Sequence, residues 1–185
     1  MANDELVSRV TSGRVWEEFC EALKAAGQVI LRPEAPDTEL DRAEGWRYLT
    51  RLTRVGLEMM LEYADVDFPV FYQASHTTAK IGADNPDNIY LNATIAADRT
   101  YRVHGQRGSV PYLSLGTKAN RYSTDGTMAS TGEIDARQMH FTADGRFEVI
   151  VSRKRHAGDW LPMAEDSSML IVRQTFLDRA REVPA

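Results

Sequence analysis

A change of period dominates this chain. Up to Asp65-Val66-Asp67, apolar residues recur every three or four positions, the spacing that lines one face of a helix. Beyond it come FPVFYQ, TTAKIG, NIYLNATI, TYRVHG, VPYLSLG, MHFTA, FEVIVSR and SSMLIVRQTF, short runs rich in β-branched and aromatic residues and separated by Gly, Asn, Asp and Pro. Runs of this kind pair as antiparallel strands of a sandwich or barrel. The expected fold is therefore α+β, with a helical segment over 1–66 and a β domain over 67–185. Within FEVIVS, Phe147, Val149 and Val151 share one face and Glu148, Ile150 and Ser152 the other. Asn85-Pro86-Asp87-Asn88, Asp144-Gly145 and Gly105-Gln106-Arg107-Gly108 read as turns.

In the helical segment, residues 1–10 carry no strong pattern. Thr11 or Ser12 is placed to cap a first helix, in which Val15, Trp16, Phe19, Cys20, Leu23 and Ala26 form the apolar face and Gly27 suits the C-terminal cap. Cys20 is expected in the core. After the prolines of RPEAPD, Asp37 or Thr38 starts a second helix that runs to about Ala64. Its apolar arc is wide: Trp46, Leu49, Leu57 and Met60 on one stripe, Tyr48, Leu52, Val55 and Met59 on the next. Such a helix wants cover on two sides, from the first helix and a sheet or from a homodimer or partner subunit.

With 43% apolar and 26% charged residues the composition is that of a globular protein. No apolar run approaches the roughly 18 residues of a membrane helix, and the opening MANDELVSRV is acidic where a secretion signal would be basic. The expectation is a cytoplasmic protein with no membrane partner. A net charge of -5 argues against nucleic acid, and one cysteine excludes an intrachain disulfide and a Cys-based zinc site.

The residues Asp87-Asn88-Ile89-Tyr90, Tyr101-Arg102-Val103 with Gly105, Tyr112-Leu113-Ser114-Leu115, Gly158-Asp159-Trp160-Leu161-Pro162 and Leu170-Ile171-Val172-Arg173 resemble, in that order, the domain-of-unknown-function family 1214. The resemblance covers roughly 80–178 and implies a jelly-roll-like antiparallel β-sandwich; the two N-terminal helices lie outside the match and are expected to pack on that sandwich. It implies no reaction. The chain departs from the family at Pro111-Tyr112 and in the acidic loop Met163–Ser168.

For chemistry, the four histidines His76, His104, His140 and His156 lack the close spacing of a metal site, so neither metal nor cofactor is expected. His104 and His140 lie on polar stretches and read as solvent-exposed. His76 stands in the polar run Gln73–Lys80, and Glu165-Asp166 after Trp160-Leu161-Pro162 are the best paired carboxylates; if buried beside Trp160, one would have a raised pKa. In NIYLNATI the alternation puts Tyr90, Asn92 and Thr94 opposite Ile89, Leu91, Ala93 and Ile95. If the Tyr90 face turns inward it lines a polar cavity.

The function expected first is binding of a small organic ligand, hydroxylated or polycyclic, through Tyr90, Asn92, Arg102, Asn120, Tyr122 and Trp160. One alternative is a metal-independent hydrolase, lyase or isomerase in which His76, Arg121 and Glu165 move protons and stabilise charge. The other is a structural or accessory subunit.

Overall fold

The computed structural model describes residues 2–185 and divides into two compact units, Met1–Arg54 and Val55–Ala185. This boundary lies earlier than the sequence reading puts it. The cause is Val55, 1% exposed, which clusters with Tyr72, Ala74 and Ala79 while Met59 and Tyr63 pack alongside.

Among the described residues three α-helices are found where two were expected: α1 (Ala2–Thr11), α2 (Arg14–Gln28) and α3 (Glu39–Leu57). In α1, Asp4 and Glu5 in the first turn and Arg9 in the last complement the helix dipole. Thr11 and Ser12 donate back to Val7 and Arg9 carbonyls at the end of α1 and so do not cap α2, whose N-cap residue is Gly13 with φ of 81°. Gly27 is not a cap either. It is a contact point, where a Cβ would sit 2.9 Å from the Trp46 ring, and Gly45 meets Ile30 in the same way at 2.8 Å. Thr38 does cap α3: its hydroxyl accepts from Asp41 N at 3.1 Å and donates to the Asp41 carboxylate at 2.6 Å. Cys20 is exposed, not in a core. Within 4–54 only Gly27 is buried, and Trp16 and Leu40 are 67% and 71% exposed.

In the second unit the wide turn Glu58–Glu62 follows α3, closed by Tyr63 N–H donating to Glu58 O at 2.9 Å. The Tyr63 and Tyr72 rings stack at 5.1 Å. FPVFYQ and TTAKIG are not strands. Pro69 has no N–H to give, Phe68 and Val70 are 79% and 54% exposed, and the two runs contribute only single bridges, Tyr72 to Asn92 and His76 to Ala79.

Seven strands follow: β1 (Asn88–Thr94), β2 (Tyr101–Gln106), β3 (Tyr112–Arg121), β4 (Thr127–Asp135), β5 (Arg146–Ser152), β6 (Trp160–Pro162) and β7 (Met169–Thr175). They form one sheet in the order β1-β7-β3-β4 and another in the order β2-β5-β6. The fold is α+β, with strands distributed over two sheets rich in antiparallel pairing. β4 was not anticipated, and MHFTA is irregular. Asp144-Gly145 does turn, with Gly145 at φ 80°, but inside a tight loop from Thr142 to Arg146. Asn85–Asn88 turns as expected, with Asn88 N donating to Asn85 O at 3.0 Å. Gly105 belongs to β2, which leads to the other sheet and so closes no hairpin; Gly108 is pressed against the Val183-Pro184 backbone, where a Cβ would collide. One pairing departs from antiparallel order. The 153–159 loop carries the chain back so that Trp160 lies beside Ile150, making β5 and β6 parallel.

The sandwich interior is aliphatic: Val103, Leu113, Leu115, Ile134, Val149, Val151, Leu161, Leu170 and Val172 are all buried, with Ala93 and Ile95 from β1 and its continuation. Burying a side chain of this size contributes about 1.5–3 kcal/mol. Leu91 and Ala93 therefore face inward, the Tyr90 face looks outward, and this packed centre is no polar cavity. At its edge runs a chain of hydroxyls. Ala164 N–H donates to Ser167 (2.9 Å), Ser167 to Thr131 (2.8 Å), Thr131 to Thr117 (2.9 Å) and Thr117 to the Pro162 carbonyl (2.7 Å). Thr117 is wholly buried.

Candidate ligand grooves

A cleft of about 400 Å³ opens onto the core at Ala93, Ile95, Val103 and Leu170, and two further grooves lie on the outer faces of the sheets. On the larger sheet, strand register sets Thr94 beside Met169, Met169 beside Lys118 and Asn120 beside Met128. Met59 and Met60 from the wide turn and the Tyr72 ring join this face, enclosing an open groove of about 450 Å³. Its walls are four methionines. Its polar groups are Asn120, Tyr122, Ser123 and Ser168. Asn120 N donates to Ser168 Oγ at 3.1 Å and Tyr122 N donates to Asn120 Oδ1 at 3.2 Å, which orders this corner. The Tyr122 side chain is 63% exposed, and its hydroxyl makes no hydrogen bond among the described residues. Burial pushes the Tyr72 phenol above its usual pKa, partly offset by a hydrogen bond with Thr94.

On the smaller sheet, β2 pairs with β5 so that Arg102, His104, Arg146 and Glu148 share the outward face. With Phe141, Thr142, Phe147, His140, Gly158 and Asp159 they line a groove of about 590 Å³. Arg102 sits 3.7 Å from Glu148, and Phe141 meets Phe147 edge-on at 5.9 Å. His140 is fixed at two points by one carboxylate. Asp159 Oδ2 accepts its backbone N–H at 2.6 Å, and Oδ1 lies 2.5 Å from ring Nδ1. The Asp159 side chain is 5% exposed and the imidazole 90%.

The residues singled out from sequence are distributed over both faces. Asn120 and Tyr122 lie in the methionine groove, and Arg102 in the second one. Tyr90 is engaged: its hydroxyl accepts from Asn88 Nδ2 at 2.8 Å and from Asn85 N at 3.2 Å, and the Arg173 guanidinium lies 5.8 Å from the ring centre. Asn92 is 5% exposed, bridged to the Tyr72 backbone and donating to Met169 Sδ at 3.3 Å. The Trp160 indole donates to Ser152 Oγ at 3.0 Å beneath the Arg155 guanidinium.

Of the proposed proton-transfer set, His76 approaches Thr78 Oγ1 at 3.3 Å in its own turn, Arg121 pairs with Asp166 at 2.7 Å, and Glu165 lies 3.8 Å from Arg153. Arg121 thus reaches the residue next to Glu165, while His76 is engaged within its own turn. Arg121, by hydrogen bond and charge, holds the Asp166 carboxyl below its usual range, opposite to the rise that burial beside Trp160 would produce. Among the described residues, no three His, Cys, Asp or Glu side chains gather to hold a metal ion, and no helix is long and apolar enough to cross a membrane.

Sequence reasoning missed His140 with Asp159, and Met128, Met169 and Ser168. The Asp159-Trp160 pair was visible as a motif, but not its reach to a residue 19 positions earlier.

No family model matches the chain, and no curated protein matches it. A solved structure of an uncharacterised protein from Burkholderia cenocepacia superposes with a TM-score of 0.93 at 51% identity, over 96% of this chain and 49% of the other. A Vibrio parahaemolyticus protein aligns over 91% of this chain and 48% of its own at 14% identity, with a TM-score of 0.44. This chain thus spans about half the length of the solved structures it matches.

Proposed function

We propose that the β-sandwich unit binds a small, largely apolar organic molecule bearing hydroxyl or carbonyl groups, such as an oxidised polycyclic compound. The observation that carries this reading is the convergence of four methionines with Asn120, Tyr122 and Ser168 on one groove of about 450 Å³. Methionine is unbranched and polarisable and moulds to apolar ligands of varied outline. A few placed polar groups then fix orientation. The test is a thermal-shift screen with steroids, sugars and aromatic acids, followed by titration of any hit against Asn120→Ala and Tyr122→Phe. A ligand that binds only the folded state raises Tm. The reading requires a hit whose affinity falls at least about fivefold in one variant; no hit, or unchanged affinity in both, refutes it.

A second reading, an accessory or self-associating subunit, is favoured by the helical unit, where Val10, Trp16 and Leu40 are 65%, 67% and 71% exposed. Sedimentation equilibrium tests it: a monomer at all concentrations excludes the homodimer.

A further inference from the structure

We infer that the groove on the smaller sheet is a second, catalytic site, in which His140 is a general base held by Asp159 and the substrate is an aryl ester carrying a carboxylate. Three independent observations meet there. The first is geometry. Asp159 is nearly sealed from water yet its two oxygens are both spent on His140, one on the backbone N–H at 2.6 Å and one on Nδ1 at 2.5 Å. A hydrogen bond at Nδ1 fixes the tautomer and leaves Nε2 as the basic atom, at the exposed end of the ring.

The second observation is the cavity. His140 and Asp159 line an open groove of about 590 Å³ with room for a small substrate. The third is the chemistry of the walls. Phe141 and Phe147 meet edge-on and offer an aromatic surface, while Arg102, Arg146 and His104 supply donors for a carboxylate or a developing oxyanion. Arg102 has Glu148 at 3.7 Å and Arg146 has Asp144 at 3.0 Å, both exposed pairs that exchange readily for a substrate anion. The charged and titratable groups around the imidazole are therefore Asp159 from its own loop region and Arg102, His104, Arg146 and Glu148 from β2 and β5.

In the step, His140 Nε2 takes a proton from water as the water oxygen bonds to the acyl carbon. The acyl–oxygen bond then breaks, and the imidazolium returns its proton to the departing aryloxide. Ester and water become acid and phenol with no redox partner. This site uses none of the residues of the methionine groove, so either can fail without the other.

The experiment uses the full chain with 4-nitrophenyl hydrogen succinate as probe, reading nitrophenolate release. Expected are saturable turnover, a solvent deuterium isotope effect on kcat, and a kcat about 100-fold lower in His140→Gln with KM little changed. Gln at 140 keeps the backbone N–H to Asp159, so Tm should hold. Asp159→Asn, which retains an acceptor but loses the charge, should lower kcat at least about tenfold. Turnover no faster than that of the same concentration of free imidazole overturns the inference, as does a kcat in His140→Gln equal to that of the parent.

Discussion

Replacing Thr117 with valine isolates the buried hydroxyl chain. The two side chains are nearly isosteric, so the packing volume stays while one hydroxyl disappears. That hydroxyl gives a 2.7 Å bond to the Pro162 carbonyl and receives a 2.9 Å bond from Thr131. Each is worth about 1 kcal/mol net, and stranding a buried partner adds on the order of 1 kcal/mol more. The expected loss is about 2–4 kcal/mol. For a unit of this size, about 3 °C of Tm accompany each kcal/mol, so the variant should melt roughly 10 °C lower in calorimetry. Thr131→Val on the Thr117→Val background should cost markedly less than on the parent, with a coupling of at least about 1 kcal/mol. A Thr117→Val protein melting within about 2 °C of the parent, or fully additive changes, would show that the chain does not act as a unit.

Other perturbations probe different links. Arg121 holds Asp166 below its unfolded pKa, so this pair stabilises the fold above the unfolded carboxylate pKa and loses that effect as pH falls through the folded value. The urea midpoints of parent and Asp166→Asn should therefore differ at pH 7 and converge near pH 2, the reverse trend contradicting the assignment. Gly27→Ala gains about 1 kcal/mol of helix propensity but drives a methyl to 2.9 Å from the Trp46 ring; net loss of helical ellipticity and altered Trp fluorescence are expected. Tyr72→Ala removes the ring stacked on Tyr63 at 5.1 Å and should cost about 3–4 kcal/mol by urea unfolding.

What could be read from sequence followed from where side chains alternate. β1, β2, β3, β5 and β7 were legible because an aliphatic interior imposes a period of two on each strand facing it. β4 was not, because TMASTGEID fills its inward positions with Ala129, Gly132 and Ile134 and uses hydroxyls where a reader looks for apolar residues. FPVFYQ misled in the opposite sense, being β-like in composition but interrupted by Pro69 and mostly exposed. α1 was missed because a helix of 10 residues presents too few turns to declare a period. The grooves were only half visible. Asn120 and Tyr122 belong to one run, whereas Met59, Met128 and Met169 meet them only through strand order, and alternation says nothing of His140, which lies on no strand.

The largely aliphatic core separates two tasks that share a space in proteins whose ligand sits at the centre of the barrel or sandwich. On β3 the two sets separate by alternation, Ala119 buried in the interior and Asn120 lining the methionine groove. Asn120 can change to suit a new guest while its neighbour Ala119 and the core residues Leu113 and Leu115 stay as they are. Such a scaffold can diversify in what it holds with little loss of its capacity to fold.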